Sequence, residues 1–344
     1  MATYQELHGR PVKSTTADLS GTAAEGQIWY NSTTNVLKVM YPFTGWSTVA
    51  STVTGVTDSG GCGTTTAALY AFGLPAASVW GGTYTEEYDG TCWARQTGTL
   101  NQRRTSGCMF GTQESALVFG GRINDGNPGP TYSTIATEEW DGTSWAAGGN
   151  YPLIITTQGG AGTQTAGLGA TGYTTPSDPG TDTPVSAEYN GTSWTAGNPV
   201  ITARRDVNKG PAGTQTAALL IDGRVSTTHQ TACEEYDGTS WATAGSTTVT
   251  MRGSMCFGIQ TSALAGFGHQ GGQGNYSAAS QTYDGTSWTG GATGNWAREM
   301  AVGSGATNTS GLAIGGASPP GPITPGATEE YSTTGTVVKT ITTS

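Results

Sequence analysis

The sequence predicts an all-β protein assembled from six copies of one four-stranded unit, and three observations predict it. The first is composition. Fifty-five of the 344 residues are glycine, roughly twice the usual share, and only 11% are charged. Long amphipathic helices need Ala, Leu, Glu and Lys, whereas this chain is dominated by Thr, Ser, Gly, Val, Tyr and Trp. Of these, Thr, Val, Tyr and Trp favour strands, and Gly, Asn and Asp favour turns. Ten Trp and fourteen Tyr argue against a disordered low-complexity chain, which would be depleted in aromatics.

The second observation is a repeated motif. EEYDGTCW at 86–93 recurs as EEWDGTSW at 138–145, AEYNGTSW at 187–194, EEYDGTSW at 234–241 and QTYDGTSW at 281–288. A decayed copy begins at Glu329, and a weaker echo runs from Tyr41 to Trp46. The aromatic position falls at 41, 88, 140, 189, 236, 283 and 331, a spacing of 47 to 52 residues. That period suits one four-stranded blade of a β-propeller.

The third observation is a polar turn followed by an apolar strand and Gly. It occurs at 63–73, 111–121, 162–172, 213–223, 258–268 and 306–316. Six such copies predict six blades, because the Tyr41 echo has no preceding strand pair of its own. Each unit reads as strand, tight turn, strand, Gly-rich loop, Glu-Glu-Tyr strand, DGTS turn and a strand starting at Trp. Asp-Gly between strands is a hairpin signal. One four-stranded sheet cannot cover both of its faces, so the units must pack on one another. Trp93, Trp145, Trp194, Trp241 and Trp288 are expected to be buried between blades. Arginine follows the Trp by ten or eleven residues in four units, and is missing after Trp46 and Trp145. Arg205, Arg252 and Arg298 are expected to bind the Glu-Glu strands by bidentate contacts.

With Gly120-Gly121, Tyr88 followed by Trp93, and Arg298 in place, the chain resembles the kelch repeat family over roughly residues 55–344. The resemblance implies a six-bladed kelch-like β-propeller with a small N-terminal extension and β-hairpin. The DGTSW turn differs from the sialidase Asp box, since Asp89 and Gly90 are adjacent.

Residues 1–54 form a separate N-terminal part, and 55–344 the propeller. Residues 27–41 read as a hairpin around an NSTTN turn. GQIWYNSTTNVLKV, followed by Trp46, resembles a short hairpin segment of phage tail-fibre and other virion proteins. Two segments, 46–53 and 336–343, compete to supply the outer strand of the last blade.

Chemistry is sparse. His8, His229 and His269 share no metal-ligand spacing, and no HExxH, GxSxG or P-loop motif is present. No cofactor, metal or catalytic residue is expected. The Glu pairs recur, and a catalytic pair is needed once, so they read as structural. Cys62, Cys92, Cys108, Cys233 and Cys256 form no CxxC pair, and they read as small buried thiols rather than a disulfide framework. The net charge of −10, with no basic stripe, argues against nucleic-acid binding. The N-terminus lacks the apolar core of a signal peptide, and no apolar run is long enough for membrane insertion.

Binding is expected in the loops after the Gly positions, at 122–136, 173–186, 269–280 and 317–328, since loops on a rigid scaffold usually carry function. The candidate contacts are Asp125, Tyr132, Tyr173, Asp178, His269 and Tyr276. The expected function is that of a non-enzymatic bacteriophage virion protein: tail fibre, head fibre or capsid decoration, assembled in the host cytoplasm. Its N-terminal segment would bind other virion proteins. The propeller would face a host-surface glycan or protein, and a homo-oligomer is compatible with this arrangement. The competing reading is a carbohydrate-active propeller enzyme.

Overall fold

The computed structural model describes residues 12–19, 27–75, 81–123, 132–174, 180–272, 274–317 and 326–341, and every helix-or-strand element among them is a strand. The chain divides into two compact units, one of Met1–Gly45 with Ser332–Ser344 and one of Trp46–Tyr331.

In the smaller unit, the expected hairpin pairs Ile28–Asn31 with the start of Val36–Val49, and Lys13–Thr15 adds a parallel strand. Trp29 is fully buried. Asn31 Oδ1 accepts the N–H groups of Thr33 and Thr34, which closes the NSTTN turn. Asp18 joins the pieces by accepting from Asn31 Nδ2 and from Lys38 Nζ, both at 2.7 Å. The Lys38 contact leads the causes that hold the Asp18 carboxyl below its ordinary pKa.

The larger unit is a series of antiparallel four-stranded sheets, numbered I to VI here, with strands a to d in each. Sheet I contains Gly60–Gly63, Ala68–Ala71, Thr85–Tyr88 and Trp93–Arg95. Sheet II contains Cys108–Gly111, Ala116–Phe119, Thr137–Trp140 and Trp145–Ala147. Sheet III contains Gly159–Thr163, Ala166–Thr174, Thr181–Tyr189 and Trp194–Ala196. Sheet IV contains Gly213–Thr214, Ala217–Ile221, Cys233–Tyr236 and Trp241–Ala244. Sheet V contains Met255–Ile259, Ser262–Gly266, Ser280–Tyr283 and Trp288–Gly290. Sheet VI takes strands a to c from Val302–Thr307, Ser310–Ile314 and Thr328–Ile341, and its outer neighbour is Val36–Val49.

The last pairing settles which segment supplies the outer strand. Trp46 takes the place of the missing Trp: its ring lies 5.2 Å from Tyr331, as Trp93 lies 5.0 Å from Tyr88. This burial draws residues 46–54 into the larger unit. Ser332–Ser344 belongs to the smaller unit.

The DGTS turns are built alike. Asp89, Asp141, Asp237 and Asp284, and Asn190 in their place, each accept two backbone N–H groups through Oδ1. The next residue has φ near +89° in every copy, a region where only Gly is free of Cβ strain. These bonds, with the Thr143 hydroxyl first, lower the Asp141 pKa to about 2.

Six apolar clusters hold the sheets together, and each joins a different pair. Phe72 and Leu69 meet Trp140 and Trp145 between I and II. Phe110 and Phe119 meet Tyr189 between II and III. Leu168 meets Leu220 and Trp241 between III and IV, and Leu219 and Ile221 meet Trp288 between IV and V. Phe257 meets Tyr331 between V and VI, and Leu312 meets Tyr70 and Trp93 between VI and I. The a strands also contact one another in this cyclic order, with Val302–Thr307 returning to Gly60–Gly63. The larger unit is propeller-like.

Hydrogen bonds reinforce each joint. In the GTQ turns Gln113, Gln164 and Gln215, and in the GIQ turn Gln260, each donate from Nε2 to two carbonyls of the preceding sheet. The second Glu of the repeat accepts from the next sheet's Tyr: Tyr236 to Glu188 at 2.7 Å and Tyr283 to Glu235 at 2.9 Å. The first Glu pairs within its own sheet. Arg104 meets Glu138, Arg204 meets Glu234, and Arg298 meets Glu329 at 2.9 Å, all buried. Four of the five cysteines are buried and free, but Cys92 is exposed, because it occupies the Ser position of a DGTS turn at the surface.

Candidate functional site

The segment leading into each a strand follows one pattern. Val56, Arg104, Ile155, Arg204, Met251 and Arg298 each accept, through the carbonyl, the N–H of a Gly at or just after the end of a b strand. Two residues further on stand Asp58, Ser106, Thr157, Asp206, Gly253 and Met300, all with φ between 51° and 57°. Their backbones form a chain of hydrogen bonds from segment to segment: Ser106 N to Asp58 O, Thr157 N to Ser106 O, Asp206 N to Thr157 O, Gly253 N to Asp206 O and Met300 N to Gly253 O.

The residue between these two positions belongs to the rim at the loop end. It is Thr57, Thr105, Thr156, Arg205, Arg252 or Glu299, and it bridges to a b–c loop: Thr156 to Tyr173, Arg205 to Arg224, and Arg252 to His269. Charged and aromatic groups concentrate where sheets III to VI meet this rim. The Arg205 guanidinium lies 4.1 Å above the Tyr173 ring, donates to Asp182 Oδ1 at 2.9 Å and donates to the Ser226 carbonyl at 3.0 Å. Arg224 donates from Nε to Asp206 Oδ2 at 2.5 Å. Arg252 lies 3.6 Å from the same Asp206 oxygen and 3.0 Å from Glu299 Oε2. His229 meets His269 edge to face at 5.2 Å, and His269 meets Tyr276 at 5.2 Å. Gly271 N–H donates to His269 Nδ1.

Burial, aided by the Arg252 charge, lowers the pKa of both imidazoles, so they are neutral acceptors near pH 7. Burial raises the Glu299 carboxyl, and the Arg252 charge opposes that shift. The cluster thus presents fixed donors, neutral imidazoles and ring faces on a hydrogen-bonded frame. A set of this kind has the directional donors and acceptors that recognition of a polar ligand requires.

The structure gathers Tyr173, His269 and Tyr276 into this cluster. Tyr132 stands in the short strand Tyr132–Ser133, paired with Arg122–Ile123. Asp125 and Asp178 lie outside the described residues. Arg205 and Arg252 depart from expectation: their partners are Asp182, Asp206 and Glu299, not the Glu-Glu strands. The cause is a shift of one residue. Arg104, Arg204 and Arg298 occupy the inward position and Arg205 and Arg252 the next, which faces the rim. Asp206, Arg224, His229 and Glu299 were not singled out from the sequence. Asp206 carried a usable signal, since it directly follows a repeat arginine. Among the described residues no group of three His, Cys, Asp or Glu is placed to hold a metal ion.

At the opposite end, the a–b turns of all six sheets surround a mouth of about 370 Å³, lined by Gly63, Gly111, Gly162, Gly213, Gly258 and Gly305. Its lining also includes Thr64, Thr112, Gln113, Glu114 and Ile259.

The fold places the chain among propeller-like all-β proteins. Comparison with solved structures agrees: the chain is similar to the protein described as "Structure of YjhT", with a TM-score of 0.64 and 14% identity, over 84% of this chain and 96% of that one. At this identity the likeness concerns the fold. No family model matches the chain, and no curated protein matches it in sequence.

Proposed function

We propose that the chain is a closed six-bladed kelch-like propeller that serves as a non-catalytic binding protein of a bacteriophage virion. In this reading the smaller unit attaches to other virion proteins, and the loop-end cluster of Arg205, Arg252, His269 and Tyr276 faces a polar ligand on the host surface. The observation that carries the reading is this cluster. It departs from the repeat, so it is not needed in every blade, yet its side chains are fixed by hydrogen bonds and ion pairs. The N-terminal resemblance to virion hairpins and the division into two units support the attachment role. Closure rests on the cyclic contacts of the a strands and on Trp46, which supplies the last outer strand from the opposite end of the chain.

The test has two parts. Particles assembled with a chain beginning at Trp46 should lack the protein, while particles with the full chain contain it. Full-chain protein should bind host-surface glycans or cell envelopes, and Arg252→Ala with His269→Ala should weaken that binding at least tenfold. Normal incorporation of the shortened chain refutes the attachment role, and undiminished binding by the double variant refutes the site. The carbohydrate-active enzyme remains the second reading because Glu299, a carboxyl with raised pKa beside Arg252, has the character of a general acid. Turnover of a bound glycan that is lost in Glu299→Gln would favour it.

A further inference from the structure

The inner strand of sheet IV is irregular. In sheets I, II, III and V the positive-φ turn Gly (63, 111, 162 and 258) falls seven residues after Val56, Arg104, Ile155 and Met251; in sheet IV, Gly213 falls nine after Arg204. The two extra residues leave strand a of sheet IV only two residues long, Gly213–Thr214. The displaced segment is held by its neighbours. Lys209 N–H donates to Ser254 O at 2.7 Å, and Lys209 O accepts the N–H groups of Cys256 in sheet V and Gly303 in sheet VI at 3.1 and 2.9 Å. Gly210, at φ +118°, lies so close that a Cβ would stand 2.3 Å from Cys256 O and 2.5 Å from Gly303 O. The backbone position of Lys209 is therefore fixed.

Its side chain runs inward. Lys209 is only 4% exposed, and Nζ has no hydrogen-bond partner. Among the described residues no carboxylate pairs with it. It lines a cavity of about 10 Å³ to which five of the six sheets or their lead-in segments contribute, including Ser59, Gly60, Gly107, Gln158 and Val302. Ser59 Oγ and Gln158 Oε1 are also buried without partners. Three unmatched polar atoms at one small cavity are unusual, since buried polar groups are nearly always hydrogen-bonded.

We propose that this cavity binds one monovalent anion of halide size, held by Lys209 Nζ and Ser59 O–H. A cavity near 10 Å³ admits about one water-sized particle, so the somewhat larger chloride or bromide requires a small outward shift of the lining side chains. An ammonium taken out of water without a counter-charge is strongly disfavoured, and an anion supplies that charge where no carboxylate does. Gln158 lines the same cavity, and its Nε2 is committed to Phe119 O at 2.7 Å. The site is independent of the loop-end cluster and of the proposed virion role. It acts as an ionic plug where the inner strands converge.

Crystals of the full chain grown in sodium bromide test the proposal. One anomalous bromide peak is expected within hydrogen-bond reach of Lys209 Nζ. In solution, at matched ionic strength, the melting temperature should be several degrees higher in bromide or chloride than in gluconate, because a ligand that binds only the folded state stabilises it. Lys209→Met should abolish both effects. A water peak without anomalous signal, or equal melting temperatures in halide and gluconate for the native chain, overturns the proposal. Both measurements stand on the native protein if the variant does not fold.

Discussion

Arg298 donates from Nη2 to Glu329 Oε2 at 2.9 Å, and neither side chain has any exposure to solvent. The guanidinium also lies 4.7 Å from the Phe267 ring and donates to the carbonyls of Ala313, Gly315 and Ala327. The same pair recurs as Arg104 with Glu138 and Arg204 with Glu234, in alternate sheets. In the other three, the equivalent positions are Val56 with Glu86, Ile155 with Ala187, and Met251 with Gln281. The arginine therefore alternates through the repeat, and in sheet I Glu86 instead accepts the N–H groups of Val53 and Thr54 and lies 3.8 Å from Arg95.

That alternation can be tested by exchange. Arg298→Met alone leaves Glu329 buried without its charge partner and should lower stability by about 3–5 kcal/mol. Arg298→Met with Glu329→Gln reproduces the Met251 and Gln281 pair of sheet V and should lose clearly less. Urea denaturation of the three proteins gives the comparison. A double variant as unstable as Arg298→Met would show that the two pairs are not interchangeable.

The turn glutamines make a second prediction. Gln260 Nε2 donates to Ala218 O at 3.2 Å and to Tyr236 O at 2.7 Å. Gln260→Ala removes both bonds and should cost about 1–3 kcal/mol. Gln260→Glu removes the donors and adds a charge facing two carbonyls, so its melting temperature should be lower still.

Asp222 gives a pH dependence. It is fully buried, accepts from the Ser254 hydroxyl and has its pKa raised well above the ordinary value by burial, against the opposing Arg204 charge. A carboxyl whose folded pKa exceeds its unfolded value favours folding most below the unfolded value, near 3.9. That advantage is lost as pH rises through the folded pKa. Asp222→Asn should therefore be at least as stable as the native protein at pH 7. Its stability should also fall less between pH 4 and pH 8, as measured by thermal denaturation across that range.

Truncation tests the last sheet. A chain beginning at Trp46 keeps the end of the outer strand, Trp46 to Val49, and one beginning at Gly55 loses Trp46 and its contacts with Phe257, Phe267 and Tyr331. Removing a buried Trp costs about 3–5 kcal/mol. The shorter chain should melt at a clearly lower temperature, and equal melting temperatures would deny Trp46 its structural role.

Much of the fold was legible because its rules are local. The DGTS turn needs Asp, Gly and two nearby N–H groups, all within four residues, and it recurs with one geometry. The apolar strand before each Gly and the Trp after each turn show the sheet period directly. The site was less legible. Tyr173, His269 and Tyr276 stood out as aromatic or titratable residues in loops that differ between repeats. Arg224 and His229 belong to the loop of a single unit, and nothing in a repeat marks their meeting with Arg252 and His269.

By itself the sequence determined the repeat, the turns and the strand pattern within each unit, because each depends on spacing within about fifty residues. Only the tertiary structure decided three further matters. One was which of two adjacent arginines turns inward: Arg204 reaches Glu234 while Arg205 reaches Asp182, a difference of a single residue in strand phase. Another was that Trp46, not the C-terminal segment, completes sheet VI beside Tyr331, a contact across almost the whole chain. The third was that two extra residues before Gly213 lodge Lys209 among the inner strands of other sheets. Such contacts depend on where distant segments come to lie, and spacing along the chain does not encode that.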